Sequence, residues 1–255
     1  MLFRSDLLLY LALRSVRDPG VHFGALHALH AAVVCALMAA RLGWDAARRD
    51  RLVCATLTMN LSIIELQSRL AGSTQPPTPA QRELLDSHAV DTVAMLRQAG
   101  LDDEDWLRIV AQHHAPPPGQ PDEGVCEEAQ VLRLVDAYTL RIAERPDTIV
   151  ASPALAARDL FAHHAKDPLA LMLLKCLGVY PPGCHVKLAS GEIAVVLRHG
   201  ATANAPLVAC LTNRRGDALQ TPIRRDTSLL AEHHIASVVA DRDVKVRFPS
   251  QVLYR

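Results

Sequence analysis

Apolar positions recur at helical spacing from near the N-terminus to about residue 178, and the pattern then changes to short alternating runs. Residues 24–42 are apolar almost all round, which predicts a buried central helix with Gly43 at its C-terminal cap. Residues 51–70 carry a second apolar helical pattern, broken by Gly72-Ser-Thr-Gln-Pro-Pro. Thr78-Pro79-Ala80-Gln81 restarts the helix, with Thr78 as N-cap, Pro79 first and Gln81 closing a capping box. That helix is expected to reach about Gln98, just before Gly100. Asp102 or Asp103 caps a short helix ending near His114, where Pro116-Pro117-Pro118 stops it. Further helices are expected over residues 127–144 and near residues 153–164. A last one has Asp167 as N-cap, Pro168 in first place and Gly178 at its end.

Beyond residue 180 the grammar is that of β-hairpins. His185-Val186-Lys187-Leu188 alternates, Ser190-Gly191 turns, and Ile193-Ala-Val-Val-Leu-Arg198 follows. Leu207 opens another apolar run, and Arg215-Gly216-Asp217 another turn. The predicted fold is therefore mainly α: a helical bundle followed by a small β-rich C-terminal module. The expected divisions are an N-terminal helical extension over 1–22, a helical domain over 23–179 and the β-rich module over 180–255. The extension is apolar enough to pack on the main domain or to form a homodimer contact, and the sequence does not choose.

Composition narrows the function classes. The 255 residues carry 27 basic and 27 acidic side chains. Zero net charge argues against binding a nucleic-acid duplex through its phosphates. With 50% hydrophobic residues the chain can bury a core, and with 4% aromatics that core must be aliphatic. The six cysteines form no C-x-x-C pair, which predicts reduced thiols in a cytoplasmic protein. No apolar run is long enough to predict a membrane span, and the N-terminal stretch lacks the features of a signal peptide.

Histidine carries the candidate chemistry. His27 and His30 share a face of the first apolar helix, His88 follows a polar helix start, and His113-His114 stand at a helix end. Asp136 lies in a strongly apolar helix, where a carboxylate needs a partner. Helices that point His and Asp inward can build a metal site. The same residues can equally form a hydrogen-bonded polar cluster, and Arg133, Arg141 or Arg145 can pair Asp136. His163-His164 and His233-His234 read as surface or loop residues.

The order of these residues resembles the HD-GYP family, bacterial phosphohydrolases that cleave cyclic di-GMP at a binuclear or trinuclear metal centre. The resemblance covers roughly residues 24–225. His27 matches the family's first-helix His, and His88 the His of its H-P-x-x-G segment, here His88-Ala-Val-Asp-Thr. His113-His114 matches the paired His of the H-H-E-x-x-D-G-x-G-Y-P signature. Leu134-Val135-Asp136-Ala137-Tyr138 with Arg145-Pro146 matches the D-x-Y-D-A-L…R-P helix. Leu177-Gly178-Val-Tyr-Pro-Pro-Gly183-Cys-His-Val-Lys-Leu-Ala-Ser-Gly191-Glu192 is similar to the stretch that follows the catalytic domain in many members. The resemblance implies an HD-domain-like helical bundle with His27, His88, His113, His114 and Asp136 as metal ligands.

The departures bear on activity. The family's H-D-I-G-K falls on Met59, Asn60, Leu61, Ser62 and Ile63, the Glu before the first-helix His falls on Phe23, and the G-Y-P region falls on Pro121-Asp122-Glu123. In the family the dyad's carboxylate bridges two metals that activate the attacking water. An Asn carboxamide is a neutral, poor bridge, and a thioether is too soft to replace imidazole for iron or manganese. Five ligand-type residues remain, enough for one divalent metal, with zinc best suited and manganese or iron as alternatives. The first expectation is a catalytically degenerate protein of bacterial signalling or regulation that binds a protein partner or a cyclic dinucleotide. The second is a metal-dependent phosphohydrolase with a mononuclear site. The third is an interaction module whose Arg214-Arg215 and Arg224-Arg225 doublets meet an anionic partner.

Overall fold

The computed structural model describes residues 2–16, 22–115, 124–143, 153–164 and 167–254. In chain order its helices are α1 (Leu2–Val16), α2 (Phe23–Arg41), α3 (Ala46–Thr58), α4 (Ile64–Ala71), α5 (Pro79–Gln98), α6 (Glu104–Gln112), α7 (Glu127–Ile142), α8 (Pro153–His164) and α9 (Pro168–Leu177). The strands β1 (His185–Leu188), β2 (Ile193–Arg198), β3 (Leu207–Thr212), β4 (Ala218–Asp226) and β5 (Ile235–Val239) follow, and α10 (Ser250–Leu253) comes last. The protein is mainly helical with a five-stranded antiparallel sheet, in agreement with the coarse pattern of the sequence. Pro116-Pro117-Pro118, Pro121-Asp122-Glu123 and Arg145-Pro146 lie outside the described residues, as do the side chains of His163 and His164.

The chain divides into two compact units. A helical unit holds α2 to α7 and α9 as far as Cys176, and a sheet unit holds α1, α8 and the chain from Leu177 on. In the helical unit α2 packs against α3, α4 and α7. Its Ala31, Val34, Cys35 and Met38 are fully buried, which accounts for an apolar pattern with no solvent face. α2 is the one described helix long and apolar enough to cross a membrane, but 56% of its most apolar window is buried inside the protein, as in a core helix.

Local chemistry sets the helix limits. Thr78 Oγ1 accepts from the Gln81 backbone N–H at 3.3 Å while Gln81 Oε1 accepts from the Thr78 N–H at 2.9 Å, completing the capping box. Asp103, of the two candidates, caps α6 by accepting from the Trp106 N–H at 2.9 Å. Asp167 caps α9 through the Leu169 N–H at 2.8 Å, and Gly178 after that helix has a φ of +69°, the left-handed value glycine tolerates.

The single helix expected over residues 51–70 is two. α3 starts earlier, capped by Asp45, and stops at Thr58; a 3-10 turn at Leu61–Ile63 leads into α4. Thr56 and Thr58 hydroxyls donate to carbonyls one turn back, a competitor to the helical ladder. Ser62 then bonds sideways to α5, its N–H to Thr92 Oγ1 at 3.3 Å and its hydroxyl to the His88 carbonyl at 3.0 Å. Tertiary bonds to α5 thus take the place of a continuous helix.

α4 passes against the start of α2 only because residue 24 lacks a side chain. A Cβ on Gly24 would stand 2.6 Å from the Ile64 carbonyl oxygen and 2.8 Å from Ile64 Cγ1. Gly24→Ala is expected to lower stability by about 1–3 kcal/mol, the range for overpacking a core. Urea unfolding of the variant measures this, and a midpoint equal to that of wild type would show that α4 can move aside.

The sheet runs in the order β4-β3-β2-β1-β5, every pairing antiparallel. Gly191 and Gly216 supply positive φ in the β1–β2 and β3–β4 turns. Both faces are covered. Val195, Leu197, Ala209 and Leu211 pack with Tyr10, Val244 and Leu253 on one side. Val186, Ala194, Val196, Val208 and Cys210 pack on the other. α1 therefore belongs with the sheet rather than with the helical domain, one of the two placements the sequence left open for residues 1–22: Leu9, Tyr10 and Leu13 are its buried face. Buried polar pairs reinforce it. Asp6 accepts from His199 Nδ1 at 2.5 Å, and Arg14 and His185 both bond Asp241.

Candidate metal centre

The helical unit gathers the five residues singled out in the sequence. His27 comes from α2, His88 from α5, His113 from the C-cap of α6 with His114 next to it, and Asp136 from α7. His27, His88, His113 and Asp136 are buried, whereas His114 is exposed.

Asp136 has a histidine as its partner rather than a neighbouring arginine. His27 Nε2–H donates to Asp136 Oδ1 at 2.8 Å, and Arg133 instead donates to the Ala115 carbonyl. Desolvation alone would raise the Asp136 carboxyl; the His27 hydrogen bond and the nearby His27, His114 and His113 rings outweigh it and hold the group below the usual carboxylate value. His27 Nδ1 is buried and finds no hydrogen-bond partner among the described residues. Phe23 lies parallel to the His27 ring, at 2° between planes.

His88 and His113 are arranged differently. His88 Nδ1 lies 2.5 Å from the Leu85 carbonyl, and His113 Nδ1 lies 2.7 Å from the Val110 carbonyl. A carbonyl can only accept, so both Nδ1 atoms carry the proton. On neutral rings both Nε2 atoms then present lone pairs, yet they face each other at 3.1 Å. Two lone pairs at that distance need something positive between them, a proton or a metal cation. Burial first, and then the neighbouring His114, push the His113 imidazole down to about 3, which opposes placing the proton on His113 itself. Desolvation of the ring by its neighbours likewise lowers His114, although the residue as a whole is exposed.

The donor set fits one cation. Ligand atoms of His88, His113 and His114 all lie within 4.8 Å of one another. Two nitrogens on one tetrahedral zinc stand about 3.3 Å apart, given bonds of about 2.0–2.1 Å. The Leu85 and Val110 carbonyls fix ring orientation and tautomer, the usual task of groups behind metal-bound histidines. Sequence reasoning missed these carbonyls, although each lies three residues before its histidine. At Val110 the helix end leaves carbonyls without helical partners.

The positions aligned with the family dyad do not fit a second cation. Met59, Asn60 and Ile63 are buried and offer a thioether, a carboxamide and a hydrocarbon. In the sheet unit three of the four arginines of the doublets are engaged, while Arg215 is exposed. Arg214 pairs with Glu232 at 2.6 Å, Arg225 lies 3.4 Å from Glu192, and Arg224 donates to the Leu253 carbonyl. His233 and His234 lie at the surface, half-buried and exposed respectively. The chain matches no protein-family model, no curated protein and no solved structure.

Proposed function

We propose that the helical unit is a divergent HD-GYP-like domain that keeps a site for one divalent cation and has lost two-metal phosphodiester hydrolysis. It acts in bacterial signalling or regulation, in the cytoplasm, by binding a protein partner. The observation that carries this reading is the approach of His88 Nε2 to His113 Nε2 at 3.1 Å with both Nδ1 atoms committed to carbonyls. His88, His113 and His114 would hold the cation, and the buried Asp136 supplies compensating negative charge nearby. A bound cation would supply Lewis acidity toward an oxygen ligand. Without an imidazole at residue 59 or a carboxylate at residue 60, no second cation is bridged to it.

A second reading, a mononuclear phosphohydrolase, draws on one feature: His114 is exposed, so a cation held beside it faces solvent.

Elemental analysis of untagged protein and calorimetric titration with zinc, manganese and iron(II) test the site. One zinc per chain is expected, with His88→Ala and His113→Ala each lowering affinity at least 100-fold while His233→Ala has no effect. Less than a tenth of an equivalent, with no titratable affinity below millimolar, overturns the cation site. Turnover of cyclic di-GMP or of a phosphoester panel by the metal-loaded protein would overturn the loss of hydrolysis and establish the second reading. Tight binding of cyclic di-GMP without turnover would make the dinucleotide the partner in place of a protein.

A further inference from the structure

The sheet ends in two outer strands, β4 and β5, and the chain treats them differently. β4 is blunted: Pro222 lacks an N–H, Arg224 and Arg225 add charge, and the register with β3 shifts between Cys210 and Thr212. β5, Ile235-Ala-Ser-Val-Val239, carries neither proline nor charge. Its irregularity falls toward Ile235, opposite Lys187 and Leu188, while Ser237, Val238 and Val239 keep regular register with β1. Ala236 and Ser237 are exposed, and among the described residues no strand lies beyond β5. Such an edge is a template for another strand.

The hydrogen bonds fix which backbone groups β5 turns outward. The Leu188 N–H donates to the Glu192 carbonyl and the Leu188 carbonyl accepts from Gly191, so Leu188 faces β2 and Lys187 faces β5. The Cys184 carbonyl accepts from Val196, so His185 also faces β5. Their partners in register are Ser237 and Val239, which therefore bond to β1. Peptide planarity then aims the Ala236 carbonyl, and both the N–H and the carbonyl of Val238, away from the sheet.

These groups suit a second copy of the same strand. With a two-fold axis at Ser237, the Val238 N–H of each copy reaches the Ala236 carbonyl of the other. Small Ala236 then lies against larger Val238, and the two Ser237 side chains stand opposite each other. Glu232 and Arg242 are exposed, equidistant from Ser237 in sequence, in the turns before and after β5. The axis brings each to the end of the other strand, where the opposite charge stands. An isologous contact of this kind closes on itself and does not propagate. We propose that β5 pairs antiparallel with β5 of a second copy about Ser237, joining two five-stranded sheets into one. The pairing does not rest on the cation site.

Sedimentation velocity of the full-length protein reads the assembly. A monomer–dimer equilibrium is expected, with dimer present at about 100 μM. Val238→Pro removes an outward N–H that makes no bond within the sheet, and Ser237→Lys sets like charges face to face at the axis. Each should weaken the dimer about 10-fold or more. Ser237→Cys should cross-link two copies under mild oxidation, because opposed Cα atoms of a non-hydrogen-bonded pair stand about 4.5 Å apart, inside the disulfide range. Ala236→Cys, offset along the strand from its own counterpart, should cross-link no more than wild type. A monomer at that concentration overturns the proposal and leaves the edge to an extended segment of another protein. A dimer that Ser237→Lys leaves intact, or cross-linking at residue 237 no greater than at 236, overturns it in favour of another surface, such as the exposed Leu8 and Leu11 of α1. Ser237 is exposed, so its two variants decide the matter without Val238→Pro.

Discussion

Replacing Asp136 by alanine is expected to destabilise the helical unit by about 3 kcal/mol, the upper end of the cost of leaving a buried donor without its acceptor. Asp136 is 7% exposed and His27 1%, so water cannot take over the lost bond. The variant leaves His27 Nε2–H without its 2.8 Å acceptor and opens space within α7's packing against α2. Asp136→Asn separates charge from hydrogen bonding. Its Oδ1 can still accept from His27 Nε2–H, so the loss should be about 1–2 kcal/mol, the worth of charge assistance to one bond. Urea unfolding of both variants decides. If alanine and asparagine cost the same, the charge and not the bond is what matters; if alanine costs under 1 kcal/mol, the pair is not structural.

The metal-free protein should lose stability steeply as pH falls from about 6.5 toward 3. The His113 imidazole is held down to about 3 by burial, against an ordinary value of 6.5. Above pH 6.5 the ring is neutral whether folded or unfolded, and its contribution is complete. Below that the unfolded chain takes up a proton that the folded chain refuses, so stability falls by about 1.4 kcal/mol per pH unit until the folded value is reached. His114, lowered chiefly by partial desolvation of its ring, adds in the same direction. Asp136 works in a lower window, beneath its ordinary carboxylate value, so the interval from pH 6.5 to 4.5 reports the histidines. Denaturant midpoints in a chelator across that interval measure the slope, and His113→Gln should flatten it. A flat wild-type profile would mean His113 already takes up a proton in the fold. Added zinc should hold the plateau to lower pH, since it stabilises the neutral rings.

Much of the fold is legible in the sequence where local chemistry decides it. The Thr78 capping box, the Asp167-Pro168 start and the Gly178 stop all depend on a few adjacent residues. The break between α3 and α4 was not legible, because Ser62 is drawn off the helix by Thr92 and the His88 carbonyl, thirty and twenty-six residues away. β2 and β3 are readable as short apolar runs because both sheet faces are buried. β4 and β5 are not, since they are the outer strands with no fully buried residue, and β4 carries Pro222. At the site, residue order alone pointed to the five polar side chains that the helices bring together. It could not show that they divide into a His27–Asp136 pair and a facing His88–His113 pair. That division depends on ring rotation, which the Leu85 and Val110 carbonyls set.

The placement of α1 has a consequence for how the protein is made. Tyr10 packs with Val195, so the sheet unit joins α1 to strands far along the chain, with most of the helical unit and α8 lying between them in sequence. During synthesis α1 emerges first and waits for strands that follow roughly 180 residues later, on the order of 10–40 s at the usual pace of elongation. Throughout that interval Leu9, Tyr10 and Leu13 have nothing to cover them, while the helical unit can already fold behind them. Nascent chains stalled near residue 180 should therefore be the ones that chaperones hold most tightly, and release should come with the β2–β3 hairpin rather than with completion of the helices.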